Sequence, residues 1–220
     1  MKIKILLLAA VSLIFISSCN NMFTAGKIIT VKEGKHFFKP YEPTWNNDER
    51  SFFEFTFDES IRYETGNKNQ CDWSKLCGYS FHKLTNHKNS LMIAFRYDRK
   101  GFIWLTPYYH EDGKRYTIGD IYDPVTGNNE NVPCTTTSGQ SFPYNGTLAI
   151  QAEPFQKITV EWFITSEPNY TQVTVTNTAT AESFTFSKHW AEDVQRKREI
   201  NAYFGGDEPA PQQITIWKKK

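Results

Sequence analysis

Apolar and polar residues alternate along most of this chain. Phe53, Phe55 and Phe57 are separated by Glu54 and Thr56, and Leu91, Ile93, Phe95 and Tyr97 by Met92, Ala94 and Arg96. Ile158, Val160, Trp162 and Ile164 follow the same rule, as do Val173 and Val175, and Ile214 and Ile216. Successive side chains on a strand point to opposite faces, so each run predicts a strand with one buried face.

Turn-forming residues separate the runs. Asp98-Arg99-Lys100-Gly101 and Glu111-Asp112-Gly113-Lys114 each join two apolar segments, and Asp-Gly suits the positive φ of a tight hairpin. Ser166-Glu167-Pro168-Asn169 and Asn177 to Glu182 separate later strands. Helices do not alternate with strands, which disfavours a parallel α/β sheet. The pattern predicts a mainly β protein, an antiparallel two-sheet β-sandwich of the jelly-roll or concanavalin-like kind. One or two short helices are expected: a turn within Asp72 to Leu84, and a surface helix over Lys188 to Ile200 with Trp190 and Val194 as its apolar stripe. Residues 120–147 are rich in Gly, Asn, Thr, Ser and Pro and are expected to form a long loop.

The N-terminus changes the setting. Lys2 and Lys4 precede an apolar run from Ile5 to Ile16, followed by Ser17, Ser18 and Cys19. A basic start, a short apolar core and small residues define a secretory signal, and the run is short for a membrane span. Residues 1–18 are therefore expected to be a signal peptide, 19–35 a tether and 36–220 the sandwich domain. Ile16-Ser17-Ser18-Cys19 also resembles the lipobox of bacterial lipoproteins, which implies lipid attachment at Cys19 and a place in the cell envelope. Asn20-Asn21-Met22-Phe23 follows instead of an acidic run, leaving open the periplasmic and outer faces.

Charge excludes one partner class. With 25 Lys+Arg against 24 Asp+Glu the formal charge is +1, so no broad basic surface is available for nucleic acid. Lys218-Lys219-Lys220 is expected to be a solvated end. Aromatic residues make up 15% of the chain, which suits both pleated sheets and sugar stacking. Cys71 and Cys77 form a plausible disulfide in an oxidising compartment. If their segment is helical they stand about 9 Å apart along the axis, too far to bridge. Cys134 is expected to be a buried thiol.

Three stretches resemble a group of bacterial lipoproteins with a concanavalin-like sandwich. The first is Phe55 to Ser60 followed by Asp72-Trp73-Ser74-Lys75-Leu76. The second is Asn86-His87-Lys88-Asn89-Ser90 with Phe95-Arg96-Tyr97 and Tyr109 to Arg115. The third is Tyr203-Phe204-Gly205-Gly206 with Ala210-Pro211 and Ile214-Thr215-Ile216. The resemblance implies the fold and the anchor, and it brings no catalytic assignment.

The candidate ligand site lies on Phe102 to His110, a run apolar on both faces. If Ile103 and Leu105 face the core, then Trp104, Thr106, Tyr108 and His110 face away, with Arg96 and Asp98 beside them through hairpin pairing. Aromatic plates flanked by a guanidinium and a carboxylate would make a sugar platform. Alternatively, another strand or the 120–147 loop covers this face and turns the aromatics into core. A partly open groove is expected. Pro107 marks a bulge or an edge.

Other constellations carry less. His82, His87 and His110 match no metal-ligand spacing, and no metal or cofactor is expected. Gly119 to Asp123 and Asn128-Asn129-Glu130 offer oxygen ligands that a structural calcium could use, although turns use the same residues. Glu54, Asp58, Asp98 and Glu161 could supply an acid–base pair for glycoside hydrolysis, but outward carboxylates on strands are usually solvated. The sequence thus favours a lipid-anchored, non-catalytic binder of glycan or another extracellular ligand. A polysaccharide hydrolase or lyase and an assembly lipoprotein docking a partner protein are the alternatives.

Overall fold

The computed structural model describes residues 26–40, 44–65, 70, 72–82, 86–116, 148–166, 169–194, 196–206 and 208–220. Two antiparallel sheets pack face to face, as the alternation predicts. The first sheet has the order β1 (Lys27–Val31), β13 (Ile214–Lys219), β3 (Arg50–Phe57), β9 (Lys157–Thr165), β10 (Tyr170–Asn177), β11 (Ser183–His189). The second has the order β2 (Trp45–Asn46), β12 (Lys197–Ile200), β4 (Ser74–Ser80), β5 (Ser90–Tyr97), β6 (Ile103–Glu111), β7 (Lys114–Tyr116), and β8 (Ile150–Ala152) also pairs with β6.

The core lies between the sheets. Phe53, Phe55 and Phe57 of β3, Val160 and Trp162 of β9, and Val173 and Val175 of β10 meet Leu91, Ile93 and Phe95 of β5 and Ile103 and Leu105 of β6. Each of these side chains removes on the order of 2 kcal/mol worth of apolar surface from water. Inward-facing aromatics lock the layers together, with Tyr79 edge-on to Trp162 at 5.3 Å between ring centroids. The opposite faces of β9 and β10 carry Glu161, Thr174 and Thr176, so the alternation has a solvent side.

The hairpin signals match the turns that form. Asp112 and Gly113 both take positive φ (50° and 80°) between β6 and β7. Arg99 (φ 64°) and Gly101 (φ 114°) turn the chain between β5 and β6, and Asn169 (φ 55°) does so between β9 and β10. Pro107, paired with Ile93 on one side, falls on the other side in the gap between the β7 and β8 pairings, where its missing N–H is tolerated.

Five expectations are corrected. Residues 72–82 of the Asp72–Leu84 segment are not helical: Ser74–Ser80 is strand β4 at the centre of the second sheet. A register shift between Lys75 and Cys77 puts both Leu76 and Cys77 into the core, and this bulge hides the alternation. Lys188–Ile200 is not a helix either; His189 ends β11 and Lys197 opens β12. Trp190 and Val194 are buried as their spacing suggests, but from an irregular connection, with Trp190 Nε1 donating to Thr171 Oγ1 at 2.9 Å. Among the described residues the helical element is one 3-10 turn, Glu59–Ile61, capped by Asp58.

Residues 27–31, expected to belong to the tether, instead form an edge strand of the sandwich with Val31 fully buried. The C-terminal lysines are not a free tail. Lys218 and Lys220, on the first sheet, donate to the buried Glu199 carboxylate of β12 at 2.5 and 2.9 Å. That bridge ties the two layers together at one edge. Cys77 is a free, buried thiol, so the proposed Cys71–Cys77 bridge is not formed here. Burial pushes the Cys77 thiol far above its ordinary range. Cys19, Cys71, Cys134, residues 119–123 and 128–130 and the 120–147 loop lie outside the described residues.

Candidate functional site

Strands β5 and β6 set the site through their register. Arg96 pairs with Trp104, Ala94 with Thr106, Met92 with Tyr108 and Ser90 with His110. Ile103 and Leu105 face the core, so Trp104, Tyr108 and His110 stand on the outer face, as parity predicts.

That face is buried along its length, and one half of it borders a groove. Trp104 is 4% exposed and packs with Trp73, Phe102, Leu148 and Ala149. The Arg96 guanidinium lies 4.3 Å from the Trp73 ring centroid and is buried as well. Burial lowers the Arg96 pKa to about 10, with Tyr63 and Asp98 opposing the shift. Asp98 anchors the turn: its Oδ1 accepts from the Lys100 and Phe102 backbone N–H groups at 2.8 and 3.0 Å, and its Oδ2 accepts from Trp104 Nε1 at 2.9 Å. A carboxylate engaged in three hydrogen bonds is a structural device rather than an available acceptor. Trp104, Arg96 and Asp98 are thus brought together as expected, but they form a buried cluster and not a platform.

Tyr108 and His110, each 5% exposed, lie in the other half at the floor of a groove with about 500 Å³ of free volume. Around them stand Lys75 of β4, Asn86 and His87 before β5, Met92 of β5 and Arg115 of β7. Ile200 and Asn201 from the end of β12, Tyr203, and the exposed Phe37 complete the lining. Lys75 sits between two aromatic faces, its Nζ 4.7 Å from the Tyr108 centroid and 5.6 Å from that of Tyr203, and donates to the Trp73 carbonyl at 3.0 Å. Reciprocal backbone hydrogen bonds of 2.8 and 2.9 Å between Lys75 and Tyr203 fix the Tyr203 segment beside β4. The Tyr203 ring stacks on His36 at 5.2 Å and meets Phe37 edge-on at 5.1 Å.

The groove is electropositive. Burial lowers the Lys75 pKa to about 8, and Arg115 adds to the shift while Asp72 opposes it. Burial also lowers the His110 pKa to about 4, reinforced by His87, Lys75 and Arg115. His87 meets His110 edge-on at 5.0 Å, and the Ser90 hydroxyl lies 3.2 Å from His110 Nδ1. Among the described residues no three His, Cys, Asp or Glu side chains gather as a metal-ligating group. Of the four carboxylates considered for hydrolysis, none lines the groove: Asp98 holds a turn, Asp58 caps the 3-10 turn, Glu54 pairs with Lys157 and Lys219, and Glu161 stands exposed on β9.

The depressed His110 pKa has a stability consequence. Its folded value of about 4 lies below the ordinary 6.5, so the unfolded chain takes up the proton first as pH falls. Its penalty is absent at neutral pH and grows as pH drops from 6.5 towards 4, reaching about 3 kcal/mol. Urea unfolding at pH 7 and pH 4.5 checks this: the His110→Gln variant should lose less stability on acidification than the parent protein, and equal losses would refute the assignment.

Sequence reasoning placed Tyr108 and His110 and missed Lys75, Arg115 and Tyr203 as groove residues. The signal was present. The three stretches that carry the lipoprotein resemblance meet here: the first supplies Lys75, the second Asn86, His87, His110 and Arg115, and the third Tyr203 and Gly206.

No family model matches this chain, and no curated protein matches it. Solved structures that resemble it do so at low identity. The enzymatically active domain of bacteriophage CBA120 tailspike protein 2 is 9% identical with a TM-score of 0.37, over 88% of this chain and 28% of that one. Scytalido-glutamic peptidase, in complex with a transition state analog inhibitor, is 9% identical with a TM-score of 0.31, over 89% of this chain and 64% of that one. Arcelin-5, a lectin-like defense protein from Phaseolus vulgaris, is 9% identical with a TM-score of 0.31, over 82% of this chain and 73% of that one. The chain spans little more than a quarter of the tailspike domain. At these values no site residue or activity passes from those proteins to this one.

Proposed function

We propose that this protein is a lipid-anchored envelope protein that binds glycan, without chemistry, in the groove on the outer face of its second sheet. The groove itself carries the proposal. Tyr108 and Tyr203 flank Lys75, and Asn86, Asn201 and His87 line the same space. Sugar rings present apolar C–H faces that stack on aromatic rings and hydroxyls that pair with amides and imidazoles, so a few such groups in one concavity suit them. Cys19, at the end of the leader, is the proposed lipid attachment point. An anchored binder gains from an exposed groove on a rigid sheet, because its scaffold loses little freedom on binding.

Affinity electrophoresis against a panel of bacterial and plant polysaccharides tests the reading. Tyr203 is held by its backbone and packs outside the main core, so Tyr203→Ala should fold and weaken binding at least about tenfold. Absence of binding across the panel, or binding that Tyr203→Ala leaves unchanged, would refute it. Mass spectrometry of the protein from membranes should find a diacyl or triacyl cysteine at Cys19; an uncleaved leader would refute the anchor.

A further inference from the structure

We propose that the ligand of this groove is an acidic polysaccharide, one bearing uronate carboxylates or sulfate esters, recognised by Lys75 and Arg115. This rests on the glycan reading above and narrows it to a chemical class.

Basic side chains outnumber acidic ones among the described lining residues of the groove. Lys75, Arg115, His87 and His110 line the groove, and no Asp or Glu is among its described lining residues. Asp72, whose carboxylate lies against the lining residue Gly206, acts on Lys75 from the groove's edge and offsets part of its charge. Among the described residues neither Lys75 nor Arg115 makes an ion pair, whereas Lys157, Lys188, Lys218 and Lys220 all do. The protonated form of Lys75 is disfavoured by burial and by Arg115, so the groove holds that positive charge at a cost, while His110 stays neutral. A bound carboxylate or sulfate would relieve it.

The positive charge is local. The whole chain carries a formal charge of only +1, so the cluster is not the by-product of a basic protein. A concave patch of one sign focuses the field on ligands of the other sign. Lysine and arginine donors to an anion form short, charge-assisted hydrogen bonds, and the arginine fork can take two oxygens at once. Tyr203, the more exposed of the two tyrosines beside Lys75, would place a stacked sugar ring within reach of that cation. A ring stacked there with its acidic group towards Lys75 satisfies both features with one ligand.

Calorimetric titration of the mature chain with polygalacturonate, chondroitin sulfate, neutral dextran and single-stranded DNA, at one ionic strength, tests the proposal. Binding of either acidic polysaccharide at least about tenfold tighter than dextran is expected, and the polymer that binds names the anion. Lys75→Met and Arg115→Gln should each weaken that binding about tenfold or more while leaving the melting temperature close to that of the parent. Arg115 is exposed, so its variant reports on binding even if Lys75→Met folds poorly. Dextran binding as tight as that of the acidic polymers, unaffected by the two variants, would overturn the charge inference and leave the glycan reading standing. DNA bound as tightly as the acidic sugars would overturn it in favour of a generic polyanion site. No binding to any polysaccharide would remove both.

Discussion

Replacing Gly78 by alanine is expected to destabilise the protein by about 3 kcal/mol. Gly78 lies on β4 opposite Met92, just past the bulge. A Cβ there would stand 2.3 Å from the Leu91 carbonyl oxygen and 2.6 Å from the Met92 Cα. Both are backbone atoms of the neighbouring strand, so no side chain can swing aside and the two central strands of the second sheet must part. The same strands carry Lys75 and the Met92 floor of the groove, so ligand binding should fall with stability. Gly34 is the control. It has a positive φ of 71° but nothing within 4 Å of an added Cβ, so Gly34→Ala should cost about 1 kcal/mol, from backbone strain alone. Thermal or urea unfolding of the two variants decides it: equal small losses would mean that the β4–β5 approach is looser than the structure shows.

Trp104→Ala is expected to cost about 3 to 5 kcal/mol. The variant would leave a cavity under Trp73, Leu148 and Ala149 and strip Asp98 of its indole donor. Trp104→Phe keeps most of the volume and loses the hydrogen bond, which predicts a loss nearer 1 kcal/mol. Neither variant removes a group that lines the groove. A Trp104→Phe protein should therefore bind ligand as the parent does, and a Trp104 variant of normal stability that has lost binding would return this residue to the site.

The contrast between Trp104 and Tyr108 shows what the sequence could and could not give. Alternation on β6 fixed the face on which both rings stand, because parity is a local property of an extended chain. It said nothing about what lies over that face. Both rings are buried, Trp104 under Trp73 and Leu148–Ala149 and Tyr108 among Met92, Ile200 and Trp73, but Tyr108 borders the groove and Trp104 does not. Asp98 was legible as a hairpin residue and, separately, as a candidate ligand; one carboxylate holding the turn and the Trp104 indole together resolves the two.

The missed elements share a cause. At β4 the bulge shifts parity in mid-strand, so Leu76 and Cys77 read as neither alternation nor a helical stripe. At 188–200 the i, i+4 spacing of Trp190 and Val194 is met by a strand end and an irregular turn that bury the same two residues. The convergence of Lys75 and Arg115 in one groove was harder to see, because they come from separate strands, β4 and β7, that only sheet register brings together. Lys218 and Lys220 are the converse case, a basic run that looked solvated until Glu199 was placed across from it in the other sheet.

The central claim is that the outer face of the second sheet, around Lys75 and Tyr108, is where ligand binds. Amide and methyl chemical-shift mapping during titration with a bound polysaccharide tests it most directly. Shifts should concentrate on β4, on the Tyr108–His110 end of β6 and on the 200–206 segment, with Met92 among the methyl groups. Shifts confined instead to Phe52, Phe163 and their neighbours on the outer face of the first sheet would contradict it.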